Sequence, residues 1–223
     1  MATSNVSRFL SNIGQGVKPN MFSVDINFPA GLSLQSEFSS IVATDGGVSG
    51  AAQVELATMM CKSAALPGSN LGVIEVPFRG RTVKIAGDRT FDTWSATFFN
   101  DKDFKLRSFF EFWANQINTH EANTSPLFVP NSTGDTGYMA SLYVTQLEKD
   151  GSESGTALRT YKLHHCFPTN VSQIDLAYDS NDQIEEFTVE WQYSYFTAGN
   201  GLSESPAGSS AADARVGNNK TVQ

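Results

Sequence analysis

The chain has 223 residues, 40% of them hydrophobic and 17% charged, with a formal net charge of −8 at pH 7. That length holds one large domain or two small ones with a core that needs no disulfides, and the composition excludes wholesale disorder. The negative balance excludes an electrostatic grip on nucleic acid, though not a surface that lets nucleic acid pass without sticking.

No stretch comes near the about 18 apolar residues of a membrane helix, so no membrane partner is expected. Residues 1–16 lack the basic flank and apolar run of a signal peptide. Two cysteines, Cys61 and Cys166, make no disulfide framework and fit synthesis in a reducing compartment. Sixteen Phe, six Tyr and three Trp beside 18 Gly favour strands and turns over a helical bundle.

Thr3–Ile13 places Val6, Phe9, Leu10 and Ile13 at three- and four-residue spacing, with Thr3 or Ser4 to cap it and Gly14 to end it. The spacing predicts a short amphipathic helix that docks either on its own domain or on a neighbour. Met21–Phe28 alternates, with Phe22, Val24, Ile26 and Phe28 on one face, as a half-buried strand does; Pro29 and Gly31 stop it. Residues 30–57 read as an insertion or long loop. A strand follows over Gln53–Lys62, and Leu66-Pro67-Gly68 turns the chain.

Val73–Ala86 predicts a long hairpin whose Arg79, Arg81 and Lys84 make a basic face. Phe91–Phe99 is a further strand with Trp94, Ala96 and Phe98 to one side. Asp101–Ile117 predicts the one long helix: Asp101 or Asp103 stands at its start, and Leu106, Phe109, Phe110, Trp113 and Ile117 form an aromatic stripe. Residues 118–137 are loop. Tyr138–Leu147 and Leu158–Cys166 pair through a polar turn, and Val171–Tyr178 pairs with Gln183–Phe196 across Asp179–Asp182. In that last strand Phe187, Val189, Trp191, Tyr193 and Tyr195 share a face. From Thr197 onward there are no aromatics, and such a tail cannot by itself offset the roughly 1–2 kcal/mol per residue of ordering its backbone. Eight or so strands with one helix predict a mainly β fold, two packed antiparallel sheets in a sandwich or barrel with one flanking α-helix.

Chemistry is sparse. The sequence has no phosphate loop, no dinucleotide fingerprint and no paired-cysteine zinc spacing. His164-His165-Cys166 alternates across a strand and so does not converge on a metal or a nucleophile pair. Gly87-Asp88-Arg89 is expected to join two strands, its acid and base serving structure or an interface rather than catalysis. No enzyme, cofactor or metal is expected.

Charge is uneven. Arg79, Arg81, Lys84 and Arg89 stand against Asp88, while residues 175–190 hold Asp175, Asp179, Asp182, Glu185, Glu186 and Glu190 with no base. These are either two solvated faces or patches that meet on different copies of the chain. Arg79, Arg81, Lys84, Asp88 and Arg89 are therefore candidate interface residues. Asp25, Glu186 and Glu190 stand on polar strand faces and are candidates for an acidic solvent face.

Several runs carry a family resemblance. They are Lys18-Pro19-Asn20-Met21-Phe22, Cys61–Pro67 (CKSAALP), Val83–Trp94 (VKIAGDRTFDTW), Phe167–Val171 (FPTNV) and Tyr178–Ile184 (YDSNDQI). In order and spacing they resemble the tail tube proteins of T-even-like contractile-tailed bacteriophages from residue 18 to 196. Two departures stand outside the pattern, the 30–57 insertion and the tail after 196. The resemblance divides the chain into an arm (1–17), a tube domain (18–196) and a Gly/Ser-rich extension (197–223).

It implies six copies in a ring, and rings stacked into a tube inside the sheath of a virion tail made in the host cytoplasm. The implied partners are further copies, the sheath protein, the tape-measure protein, the baseplate and tail-terminator proteins, and DNA in transit. Four strands per copy, 24 in all, at about 4.8 Å spacing and roughly 40° tilt would close a backbone barrel about 48 Å across. The resemblance thereby makes Asp25, Glu186 and Glu190 candidates for an acidic lumen that repels phosphate. A baseplate tube-initiator or a secretion-system tube ring shares the implied fold. A carbohydrate-binding β-sandwich is a more remote reading, because it needs its aromatics exposed on a platform.

Overall fold

The computed structural model describes residues 5–14, 16–29, 32, 57–130, 137–149 and 156–200. The insertion 30–57 is therefore described only at Leu32 and Ala57, both fully buried, and the extension 197–223 only at 197–200.

Helix α1 spans Asn5–Ile13. Nine strands follow: β1 (Phe22–Ile26), β2 (Cys61–Ala64), β3 (Asn70–Phe78), β4 (Arg81–Thr90), β5 (Trp94–Phe99), β6 (Ala140–Glu148), β7 (Thr156–Val171), β8 (Glu186–Gln192) and β9 (Tyr195–Asn200). Helix α2, Lys105–Ile117, lies between β5 and β6. Seven of the strands build two antiparallel sheets that share β7. The first has the order β1-β6-β7-β9, the second β7-β8-β5-β2. Strands β3 and β4 form a separate two-stranded sheet.

Strand β7 reaches both sheets because it is 16 residues long and bends. Arg159–His164 pair with β9, and Phe167–Val171 pair with β8. The bend lies at His165, whose φ is +57°, beside a register shift between the Leu142–Leu163 and Ala140–Cys166 pairs. A left-handed residue in a strand breaks the alternation of side chains. The strict up-down placement expected for His164-His165-Cys166 therefore does not hold. His164 instead stacks on Tyr195, with ring centroids 4.5 Å apart, and His165 meets the edge of Tyr195 at 5.8 Å.

The core is aromatic. Val24 and Ile26 of β1 are fully buried, as their alternation predicts, and they face Leu142, Val144 and Leu163. In the second sheet Trp94, Ala96 and Phe98 oppose Trp191, Val189 and Phe187 in register. Helix α2 closes this space. Phe110 packs on Phe98, Phe187 and Trp191 at 5.4–6.2 Å, and Phe109 and Trp113 meet Phe28 at 4.1 and 5.9 Å. Each such side chain contributes about 1.5–3 kcal/mol by leaving water. Asp101 caps α2 from outside: its carboxylate accepts the backbone N–H of Lys105 at 3.1 Å and of Leu106 at 3.3 Å. The helix begins four residues later than the periodicity predicts, because Phe104 takes a left-handed turn (φ +55°).

Four expectations are corrected. Gln53–Lys62 is not one strand: Ala57–Met60 form a helical turn, and only Cys61–Ala64 are extended. Thr58 holds that turn against β1, its hydroxyl reaching the Val24 carbonyl at 2.9 Å and the Asp25 carboxylate at 3.0 Å. Gly87-Asp88-Arg89 does not join strands but lies inside β4, where Gly87 and Gly72 approach too closely for side chains; a Cβ on Gly87 would stand 3.2 Å from the Gly72 backbone. Residues 172–185 form a loop, not a hairpin strand, since Leu176 and Tyr178 find nothing to pack against. The last strand breaks at Tyr193-Ser194, so β8 and β9 join different sheets. Tyr195 consequently points away from the core and Phe196 packs on it.

Candidate assembly surface

The β3–β4 hairpin is built from its sequence upward. Phe78 pairs with Arg81, leaving Arg79-Gly80 as a two-residue loop with φ of +46° and +78°. Both residues left-handed is the pattern that matches strand twist, and Gly80 adopts it without strain. The strands then run antiparallel for about 30 Å at ~3.3 Å per residue. Trp94 Nε1 donates to the Ala65 carbonyl at 2.6 Å, and Asn70 Nδ2 to Asp92 at 2.7 Å, fixing the base of the hairpin to the second sheet.

Beyond that base nothing among the described residues covers the hairpin. Every residue of β3, and every residue of β4 but Gly87, is exposed. One face carries Ile74, Val76, Phe78, Val83 and Ile85, with Arg81 at its tip. The opposite face carries Val73, Glu75, Pro77, Thr82, Lys84 and Ala86. A two-stranded hairpin alone is marginal in water, and an apolar face of this size exposed on a monomer marks an interaction site.

The cations do not form one basic face. Arg81 and Lys84 are three residues apart on a strand and so point to opposite sides. Lys84 lies 3.5 Å from Glu75, a cross-strand partner in register. Arg79 sits in the turn with its guanidinium 5.3 Å from the Phe78 ring. Asp88 and Arg89 stand further down β4, near the base. The positive character thus concentrates at the tip, in Arg79 and Arg81, which make no ion pair among the described residues.

The three candidate acids also part company. Asp25 lies in β1 of the first sheet, half-buried under Thr58, and desolvation raises its carboxyl above the ordinary 3.8 against the opposing Thr58 hydrogen bond. It is not a free surface charge. Glu186 and Glu190 lie on the outward face of the second sheet, opposite Phe99 and Ser95. Glu186 is paired with Lys62 at 2.5 Å. Glu190 shares its face with Ser95, Thr97, Thr188 and Gln192, and the Thr97 and Thr188 hydroxyls meet at 3.0 Å.

A second bare apolar element is α1. Val6, Phe9, Leu10 and Ile13 all remain exposed, Phe9 at 61%, so no described residue covers the stripe. In sequence the cations of the hairpin stand out and its apolar face does not. The signal was present: two adjacent segments alternate, yet no third segment supplies a matching partner.

Among the described residues no group of His, Cys, Asp and Glu could hold a metal ion, and no helix is long and apolar enough to cross a membrane. Burial pushes both thiols, Cys61 and Cys166, up to about 12, which leaves them protonated and unreactive.

This fold, two sheets sharing a bent strand with a free hairpin at one edge, recurs in a contractile injection system. It superposes on a chain of an extracellular contractile injection system sheath–tube complex in its extended state. The TM-score is 0.52 at 14% identity, covering 89% of this chain and 99% of that one. A chain of the 6-fold-symmetrised anti-feeding prophage baseplate gives 0.51 at 13% identity, covering 90% and 98%. Residues 17–198 match the phage tail tube protein family, and the chain belongs to it. It is similar to tail tube protein gp19 of Enterobacteria phage T4, 29% identical over 196 residues, which cover 88% of this chain and 99% of that protein. The tail tube protein of Serratia phage KSP90 is 27% identical over 194 residues, covering 86% and 95%. The protein is thus a structural, non-enzymatic component of a phage tail.

Proposed function

We propose that copies of this chain close into hexameric rings through the bare β3–β4 hairpin, and that the rings stack into the inner tube of a contractile tail. The tube lies within the sheath, holds the tape-measure protein during assembly and conducts DNA during ejection. Baseplate and terminator proteins bound it at its two ends. The single observation that carries this reading is the hairpin: about 30 Å of paired strand whose apolar side chains are exposed, with no cover among the described residues. A head-to-tail contact that closes by rotation makes a ring and removes the open edges of β1, β2 and β9. Arg79, Arg81, Lys84, Asp88 and Arg89 belong to this contact region.

The outward face of the second sheet lines the bore. Its hydroxyls, its Gln192 amide and the charge of Glu190 repel phosphate or leave it unbound. Asp25, half-buried, contributes little to that lining, and Glu186 is neutralised by Lys62.

Negative-stain microscopy of the purified full chain over a range of concentrations tests assembly. Rings or hollow rods of uniform bore are expected. A compact single particle under every condition would overturn the reading, and a tube with a net basic lumen would overturn the lining.

A further inference from the structure

The 172–185 loop holds a socket. Between β7 and β8 the chain encloses a depression of about 620 Å3, within the roughly 300–1,000 Å3 of binding pockets. Its lining is mainly polar, with Asp175, Glu185 and Glu186 among Gln and Ser side chains, and it includes the apolar Ile174, Leu176 and Ile184. Leu176 and Ile184 are largely exposed, and Tyr178, beside them in the loop, is fully so. Asp179 and Asp182 stand in the same loop, both exposed. The rim is preset: Asn100 donates from Nδ2 to Glu185 Oε2 at 2.9 Å, and its backbone N–H donates to the Glu185 carbonyl at 2.9 Å. Gln173 approaches Asp175 at 3.4 Å. No cation pairs with Asp175, Asp179, Asp182 or Glu185 among the described residues.

The hairpin tip is the complement of that socket. It presents one exposed aromatic ring, Phe78, stacked with one guanidinium, Arg79, and followed by a second, Arg81. Aromatic and arginine side chains are the groups that anchor protein contacts when they enter a desolvated pocket. The tip bears +2 and the loop residues Asp175, Asp179, Asp182 and Glu185 bear −4, and neither side is ion-paired among the described residues. Arg fits a carboxylate with two parallel hydrogen bonds, which fixes orientation as well as adding attraction.

Resting on the ring-and-tube reading above, we propose that the Phe78-Arg79-Gly80-Arg81 tip of one copy inserts into the 172–185 socket of a second copy. Phe78 covers Leu176 and Ile184, and Arg79 and Arg81 pair with Asp175 and Glu185. Every copy carries one tip and one socket, so the contact is head to tail and propagates.

The test uses the full chain in four forms: wild type, the tip variant Arg79→Glu/Arg81→Glu, the socket variant Asp175→Lys/Glu185→Lys, and an equimolar mixture of the two variants. Thermal melting first establishes that each variant is folded. If Glu185→Lys disturbs the fold, Asp175→Lys/Asp179→Lys, on two exposed positions, replaces it. Each variant alone should lose at least about tenfold in assembled mass by sedimentation. The mixture should recover it, because an acidic tip then meets a basic socket and a basic tip an acidic one. Independently, Phe78→Cys/Leu176→Cys should form intermolecular disulfides under mild oxidation. Variants that assemble like wild type, a mixture no better than its components, or no crosslink would overturn the socket while wild-type tubes still stand. Failure of the wild type to assemble at all would instead overturn the tube reading.

Discussion

The aromatic core around α2 and the β3–β4 hairpin use the same kinds of side chain toward opposite ends. In the core, Phe98, Phe110, Phe187 and Trp191 are all fully or almost fully buried, drawn from β5, α2 and β8, and the rings of Phe98 and Phe110 each lie within 6.2 Å of the other three. In the hairpin, Ile74, Val76, Phe78, Val83 and Ile85 share one face and stay in water. Apolar alternation therefore marks burial, but not whose surface does the burying. One region stabilises the monomer, and the other has value only when a second copy arrives.

That contrast breaks most sharply under truncation. Trp113→Ala, at a fully buried site whose indole N–H donates to the Tyr138 carbonyl at 3.0 Å, should cost the monomer about 3–5 kcal/mol in denaturant unfolding. Ile74→Ser, on the bare hairpin face, should change monomer stability by no more than about 0.5 kcal/mol yet abolish tubes by microscopy. If Ile74→Ser unfolds the monomer as Trp113→Ala does, the division between the two regions fails.

A smaller effect is expected at the edge of the core. Asp101→Ala removes two carboxylate hydrogen bonds from the start of α2 and should lower stability by about 1 kcal/mol, with assembly retained. Asp25 sharpens the comparison through pH. Its folded-state pKa is raised, so the native state holds its proton more tightly than the unfolded chain. Stability should therefore fall as pH climbs from 3.8 through the raised value. Asp25→Asn should flatten that slope in melting curves recorded across the acidic range, while Ile74→Ser should leave it unchanged. The smallest effect concerns the thiols. Native Cys61 and Cys166 should resist alkylation at pH 8 and react once the chain is unfolded, since burial holds both near 12.

Much of the architecture was legible because it is local. The alternation of Val24 and Ile26, the Leu106–Trp113 stripe and the Phe187–Trp191 run each follow from a period of two or 3.6 residues, and each is buried as expected. The hairpin was legible too, as a hairpin over Val73–Ala86, though its Arg79-Gly80 turn was not. The candidate site was legible only in part. Arg79 and Arg81 do share the tip, but Lys84 faces Glu75 across the ladder, and Asp25 lies under Thr58. Those placements depend on a partner strand and on a residue 33 positions away in the chain, neither of which spacing alone names.

The sequence by itself determined the mainly β class, the single long helix, the absence of a recognisable reaction centre and the family pattern, because each is written in short-range residue order. Tertiary structure decided the rest. It bent β7 at His165 so that one strand serves two sheets, sent β9 back to the first sheet, turned 172–185 into a loop, and left the hairpin without cover. The physical reason is that backbone pairing and burial are settled between segments far apart in the chain, and a face that finds no partner at home looks, in sequence, like one that does.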